Sequence, residues 1–221
     1  MVKAMRNFFD KQLDELHERL IYMGEKCEMA IKMAIDAFLD EASNLDTSIN
    51  EVSNIEKEIN DLEREIEAMC MKLLLKQQPV AGDLRMVSSA LKMISDMERI
   101  GDQALDIVEI AGYVRGKEAS GKIHLSAMAT AATKMVNDSI QAFVDKDLEK
   151  ARYVIGYDDI VDDFFDKIKH ELIELLAKED KNGEVFIDLL MIAKYLERIG
   201  DHATNIAESV EFYLTGNREM H

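Results

Sequence analysis

The pentapeptide Glu-Arg-Ile-Gly-Asp occurs twice in this chain, at 98–102 and at 197–201, and no other feature constrains the fold as strongly. The second copy follows the first after 99 residues. The neighbouring sequence repeats in the same order, since the segment 52–62 is similar to 154–164. Similarity that preserves order along a chain indicates an internal repeat. The sequence therefore predicts two homologous units in tandem.

Each unit shows the three-to-four-residue spacing of apolar side chains that is typical of amphipathic helices. The predicted helices are about 13–40, 52–77 and 84–114 in the first unit, and about 125–144, 150–178 and 184–214 in the second. With one proline in 221 residues, few breaks are enforced. We expect an all-α fold of two tandem homologous three-helix bundles with six long antiparallel helices.

The most linker-like stretch lies between the two units, where glycines flank a short polar segment. We therefore predict a first bundle at 1–115, a linker at 116–121 and a second bundle at 122–221. The linker also matches part of a phosphate-binding loop, but Ile123 stands where that motif requires Ser or Thr. Without a Ser–His–Asp or Cys–His set elsewhere, the sequence predicts a protein that is not an enzyme.

Composition and charge exclude several classes of function. A formal net charge of −17 repels nucleic-acid backbones and anionic lipids, so neither nucleic-acid binding nor direct membrane insertion is expected. No apolar run approaches 18 residues, and no signal-peptide core follows the first residues. Cys27 and Cys70 lie on apolar helical faces and form no metal or disulfide pattern. These features favour a cytoplasmic protein.

A row of polar side chains accompanies each copy of the pentapeptide, at the edge of the apolar arc when residues advance by about 100°. On the third helix the row contains Glu98, Asp102 and Asp106, and on the sixth it contains Glu197, Asp201 and Asn205. Like charges four residues apart destabilise a helix, and burial adds to that cost. Because the adjacent Arg99 and Arg198 should point elsewhere around the helix, we expect a cation to neutralise each row.

A facing helix in each unit offers further oxygen ligands. Asp158 and Asp162 lean towards the core of the second unit, and Glu56 and Asn60 occupy the corresponding positions of the first. The second site therefore looks better equipped than the first. Oxygen-rich shells suit iron, Mg²⁺ and Mn²⁺, with Ca²⁺ possible; zinc is disfavoured, though not excluded, because no cysteine or histidine pair lies nearby.

Two other interpretations use the same acidic rows. A metal-storage or di-iron oxidase bundle would need Glu-x-x-His motifs, which are absent. A purely structural dimerisation bundle would carry the acids as surface decoration. The metal content of the purified protein distinguishes these interpretations.

The segment 78–85, both pentapeptides, the extended motif 197–208 and the final 213–216 closely resemble the PhoU family of phosphate-uptake regulators. The resemblance implies two three-helix bundles, metal at the acidic rows, frequent homodimerisation and a regulatory role without catalysis. It further implies that the protein restrains the ATPase subunit of a phosphate ABC transporter and a sensor histidine kinase when phosphate is ample. The metal residues that it implies are Glu98, Asp102, Asp106, Asp158, Asp162, Glu197, Asp201 and Asn205, with a weaker match at Glu56 and Asn60.

Overall fold

The computed structural model describes residues 2–39, 44–77, 81–115, 124–178 and 182–217. The helices of these ranges are α1 Val2–Leu39, α2 Leu45–Gln77, α3 Ala81–Val114, α4 Leu125–Asp145, α5 Leu148–Lys178 and α6 Gly183–Thr215. The predicted all-α class and the division into two three-helix repeats are confirmed. The linker proposed at 116–121 lies outside the described residues, and the exact bundle borders stay a prediction.

Helix α1 begins at Val2, well before the start near Leu13 that the apolar pattern predicted. Helices α2 and α5 also begin earlier than predicted, because polar residues supply their first turns. Helix α2 starts at Leu45 rather than near Val52, and the Asn44 side chain accepts a hydrogen bond of 3.3 Å from the backbone N–H of Thr47. Asp147 accepts a 3.0 Å bond from the backbone N–H of Lys150 at the start of α5. Such caps accept hydrogen bonds from backbone N–H groups of the first turn, which have no partner within the helix. Because the capping residues are polar, the spacing of apolar residues does not reveal them.

Within each repeat, the second and third helices pack closely at the glycine of the pentapeptide. A Cβ placed on Gly101 would lie 2.9 Å from Cδ1 of Ile59, and one on Gly200 would lie 3.3 Å from Cγ1 of Val161. Both glycines are buried in the middle of a long helix, where glycine costs about 1 kcal/mol relative to alanine. The space that they leave lets α2 approach α3, and α5 approach α6, beside the acidic rows.

The two repeats are joined along α3 and α6, with a second contact between α1 and α4. Ser89 donates a 2.8 Å hydrogen bond from Oγ to the carbonyl oxygen of Ser209, and Arg85 donates a 3.2 Å bond from Nε to the carbonyl of Tyr213. Around these bonds an extensive apolar core runs through both repeats. The packing of α3 against α6 therefore fixes the position of one acidic row relative to the other.

In the part of the chain that the structure describes, every helix is too polar over an 18-residue stretch to cross a bilayer.

Candidate functional site

The second repeat gathers four carboxylates where α5 faces α6. They belong to Asp158, Asp162, Glu197 and Asp201. Oδ1 of Asp158 lies 3.6 Å from the position that a Cβ on Gly200 would occupy, so the carboxylate lies directly beside α6 at that glycine. The predicted pairing of the α5 acids with the α6 row is therefore observed.

Asp158 is the most perturbed member of this group. Burial, followed by the neighbouring charges of Asp162 and Asp201, raises the pKa of its carboxyl to about 6. The Thr204 hydroxyl and Glu197 have smaller and opposite effects on that pKa. A carboxyl whose pKa is raised by burial and by neighbouring carboxylates gains from any cation placed among them.

Two further acids of the second repeat are more open to solvent than Asp158. Asp162 and Asp201 both lie on the exposed surface. Partial burial and then the charge of Glu197 raise the pKa of each, and Lys194 opposes the shift in both. The four carboxylates thus repel one another as a single electrostatic group where α5 faces α6.

Lys194 is the partner that the sequence interpretation missed. Its ammonium lies 2.5 Å from both carboxylate oxygens of Glu197, one helical turn away on α6. The i,i+3 spacing of an oppositely charged pair could have revealed this contact. Ser95 occupies the equivalent position in the first repeat, so the two rows are neutralised by different means.

The first repeat brings Glu56, Asn60, Glu98 and Asp102 to the α2/α3 face. Burial is the main cause that raises the pKa of Glu98, followed by Asp102, with smaller contributions from Glu63 and Glu56. The Asn60 amide donates a short hydrogen bond to the Glu56 carboxylate. Its buried Oδ1 has no hydrogen-bond partner among the described residues. A cation or a protonated donor could satisfy that oxygen.

The expectation that Arg99 would point away from its row was wrong. Its guanidinium lies 3.4 Å from Glu98 through Nε and 3.2 Å from Asp102 through Nη1. The side chain folds back along the helix surface, because a long flexible arginine can reach i−1 and i+3 carboxylates despite the 100° step between Cα positions. Arg198 differs, since its charge lowers the pKa of Asp106 on α3, across the repeat interface.

Asp106 and Asn205 stand at the α3/α6 interface. The Asn205 amide donates a 3.0 Å hydrogen bond to Oδ1 of Asp96, and the Tyr195 hydroxyl lowers the pKa of Asp106 across the same interface. The two pairs occupy equivalent positions of the repeats, because Asp96 corresponds to Tyr195 and Asp106 corresponds to Asn205. Burial, then Asp102 and Glu109, raises the pKa of Asp106. Asp106 and Asn205 thus belong to the acidic rows of α3 and α6, and each also lies against the other repeat.

His202 makes a contact that the sequence did not indicate. Its Nδ1 lies 2.9 Å from Oδ1 of Asp96, and both side chains are about four-fifths buried. His202 follows Asp201 directly in the chain. The contact therefore links the second repeat's acidic row to the third helix of the first repeat.

The chemistry of both groups fits a hard cation, although neither forms a closed ligand shell. All donors are carboxylate or amide oxygens, the charges repel one another, and Asn60 presents an oxygen without a partner. Among the described residues, no three His, Cys, Asp or Glu side chains converge into a ready metal cage. Binding would require the side chains to turn, and Glu197 would have to exchange Lys194 for the ion.

Comparisons with known proteins agree on one family. The PhoU domain family model matches residues 20–111 and 125–210. A phosphate-specific transport system accessory protein PhoU homolog from Clostridium acetobutylicum is 33% identical over 96% of this chain and 97% of its own length. The corresponding homolog from a Synechocystis species is 35% identical over 97% of this chain and 94% of its own.

Two crystal structures share the fold over nearly the whole length. PhoU from Pseudomonas aeruginosa superposes with a TM-score of 0.87 at 30% identity, covering 95% of this chain and 100% of that one. The phosphate transport system regulatory protein PhoU from Streptococcus pneumoniae gives 0.85 at 25% identity, covering 96% and 100%. The order of helices and the tandem repeat both fit these matches. The chain therefore belongs to the PhoU family.

Proposed function

We propose that this protein is a cytosolic, non-catalytic regulator of phosphate uptake and phosphate-starvation signalling. Membership of the PhoU family carries the proposal, since relatives over the full length are named accessory proteins of a phosphate-specific transport system. The partners that we propose are the ATPase subunit of a phosphate ABC transporter and a sensor histidine kinase, both restrained when phosphate is ample. The working form that we propose is a homodimer.

The acidic rows would hold divalent or trivalent cations such as iron, Mg²⁺ or Mn²⁺. The mutual repulsion among Asp158, Asp162, Glu197 and Asp201 supports this role, because a cation removes the electrostatic cost of keeping them ionised together. In the first repeat Glu98 and Asp102 would take part, with Glu56 and the free oxygen of Asn60. Bound cations would stabilise the α2/α3 and α5/α6 pairs.

Asp106 and Asn205 would contribute to these sites less directly. Their interface contacts with Tyr195 and Asp96 compete with coordination. We propose that they act mainly by positioning α3 against α6, and thereby set the geometry of the neighbouring acids.

Complementation of a gene deletion tests the regulatory role. We expect deletion to leave phosphate-responsive transcription and phosphate uptake high in phosphate-rich medium, and the wild-type gene to restore repression. Unchanged transcription and uptake in the deletion strain would contradict the proposal. Size-exclusion chromatography with light scattering tests the homodimer separately.

Elemental analysis of the purified chain tests the cation sites. The Asp158→Ala/Asp201→Ala variant should lose the metal of the second repeat, and with it part of the stabilisation that metal confers on thermal unfolding. A matched control is Asp159→Ala/Asp163→Ala, which removes two exposed acids from α5 and should keep its metal. Equal metal content in both variants would show that the carboxylate group is not the site.

A further inference from the structure

A groove of about 830 Å³ runs between α1 and α4, the first helices of the two repeats. It lies away from the α2/α3 and α5/α6 faces that carry the acidic rows. At one end, near Gly24, the helices touch so closely that a Cβ there would lie 2.7 Å from Cδ1 of Ile140. From Glu25 the groove follows α1 as far as Leu39, a rise of about 21 Å at 1.5 Å per residue. That length matches about four turns of a helix.

The shape of the groove suits a helix rather than a compact ligand. Its α4 side includes the small side chains of Ala129, Thr130 and Thr133, which allow another backbone to approach closely, beside the polar Lys134, Asn137 and Asp138. Its α1 side presents Met29 and Leu39, each 49% exposed. Exposed methionine and leucine beside small residues form the kind of surface that binds the apolar face of an amphipathic helix.

The negative charge of the groove favours a bound helix whose polar face carries basic side chains. Glu25, Glu28 and Asp36 line it, whereas Lys134 is already paired with Asp138. Lys32 is the one remaining cation of the lining that forms no ion pair within the described ranges. Glu28 is half-buried, and its burial together with Glu25 raises the pKa of its carboxyl. Basic side chains of a ligand would relieve this repulsion.

We propose that the α1/α4 groove is a docking site for a basic amphipathic helix of about 14 residues from a protein partner. The apolar face would lie on Met29, Leu39 and the small α4 side chains, with Lys or Arg against Glu25 and Glu28. The partner is a component of the phosphate-uptake machinery, and in this respect the inference rests on the proposed function. The negative charge of the groove repels anionic lipid and also a second copy of this chain, which is acidic as well.

Binding measurements with matched charge reversals test the site. The full chain would be titrated against the purified ATPase subunit and, separately, the cytoplasmic part of the sensor kinase. Glu25→Lys/Glu28→Lys should weaken binding to one of them at least tenfold. Glu51→Lys/Glu67→Lys, which makes the same charge change at exposed positions of α2, should bind within about twofold. Thermal unfolding of both variants verifies that they fold.

A second variant identifies what occupies the groove. A photoreactive benzoylphenylalanine at the exposed Thr130 should crosslink to the bound component, and mass spectrometry should place the crosslink in a helix rich in Lys or Arg. Equal affinity of the two double variants, or a crosslink to a second copy or to lipid, would overturn the inference. Failure of the wild-type chain to bind either component would overturn it too. The transcription assay of the deletion strain then shows separately whether the proposed function survives.

Discussion

Nδ1 of His202 lies 2.9 Å from Oδ1 of Asp96, and this contact joins helices that belong to different repeats. The same Asp96 oxygen accepts the Asn205 amide at 3.0 Å. One carboxylate of the first repeat therefore contacts two side chains of α6, which lie about one helical turn apart and follow Asp201 in the chain. The acidic row of the second repeat is consequently anchored to the body of the first.

Loss of this anchor should destabilise the protein measurably. We expect His202→Ala to lower the free energy of unfolding by about 1–2 kcal/mol, because it leaves a largely buried Asp96 with one fewer partner. Urea denaturation gives the value. His170→Ala is the control, since His170 is exposed and its ring contacts the carbonyl of Asp166 on its own helix. Equal losses in the two variants would contradict an inter-repeat role for His202.

Two helical glycines should respond to alanine in opposite directions. Gly156 has open space around its Cβ position, so Gly156→Ala should stabilise α5 by about 0.5–1 kcal/mol. At Gly24 a Cβ would crowd three Ile140 atoms at 2.7–3.1 Å, so Gly24→Ala should cost about 1–3 kcal/mol as α1 and α4 separate. Thermal or urea unfolding measures both. A stabilising Gly24→Ala would show that the inter-repeat contact relaxes freely.

The raised pKa of Asp158 predicts a defined pH dependence for the metal-free protein. The folded chain keeps the proton of this carboxyl up to about pH 6, whereas the unfolded chain loses it near the ordinary value of 3.8. Between those values the folded state binds more protons, so the contribution of Asp158 to the free energy of unfolding falls as pH rises. The contribution of Asp158 to the free energy of unfolding is therefore fully present below pH 3.8 and is lost as the pH rises through about 6.

Asp158→Asn removes that titration and should therefore be more stable than the wild type at pH 7.5, by about 1–3 kcal/mol in chelator. The gain should disappear near pH 4, where the wild-type carboxyl is neutral as well. Unfolding in urea across this range measures it. Asp163→Asn, at an exposed position of the same helix, should change stability by less than about 0.5 kcal/mol at either pH. A pH-independent gain would point to packing instead of charge.

Lys194 should compete with a cation for Glu197. We expect Lys194→Met to raise the affinity for Mn²⁺ about three- to tenfold, since the ion no longer has to displace an ammonium 2.5 Å from the carboxylate. Isothermal titration measures the change. Lys167→Met removes the same charge from the exposed surface of α5 and should change the affinity by less than about twofold. Weaker binding in Lys194→Met would mean that this lysine assists the site.

Much of the fold was readable from the sequence because apolar periodicity and duplication are local, additive signals. The six helices, their order and the pairing of Asp158 with the α6 acids follow from which residues share a helical face. The helix starts at Leu45 and Leu148 were missed because their caps are polar. Arg99 was misplaced because a face assignment fixes the direction of Cβ, whereas the guanidinium lies several rotatable bonds beyond it.

The sequence by itself determined the all-α class, the tandem repeat and the position of each acidic row at the edge of its core. Only the tertiary structure decided which basic side chains and which residues of the other repeat those acids contact. Asp96 meets His202 and Asn205, and Asp106 meets Tyr195, because α3 packs antiparallel to α6 across the repeat boundary. Residues about 90–110 positions apart become neighbours through that packing, and helical periodicity reports only on contacts within a few turns.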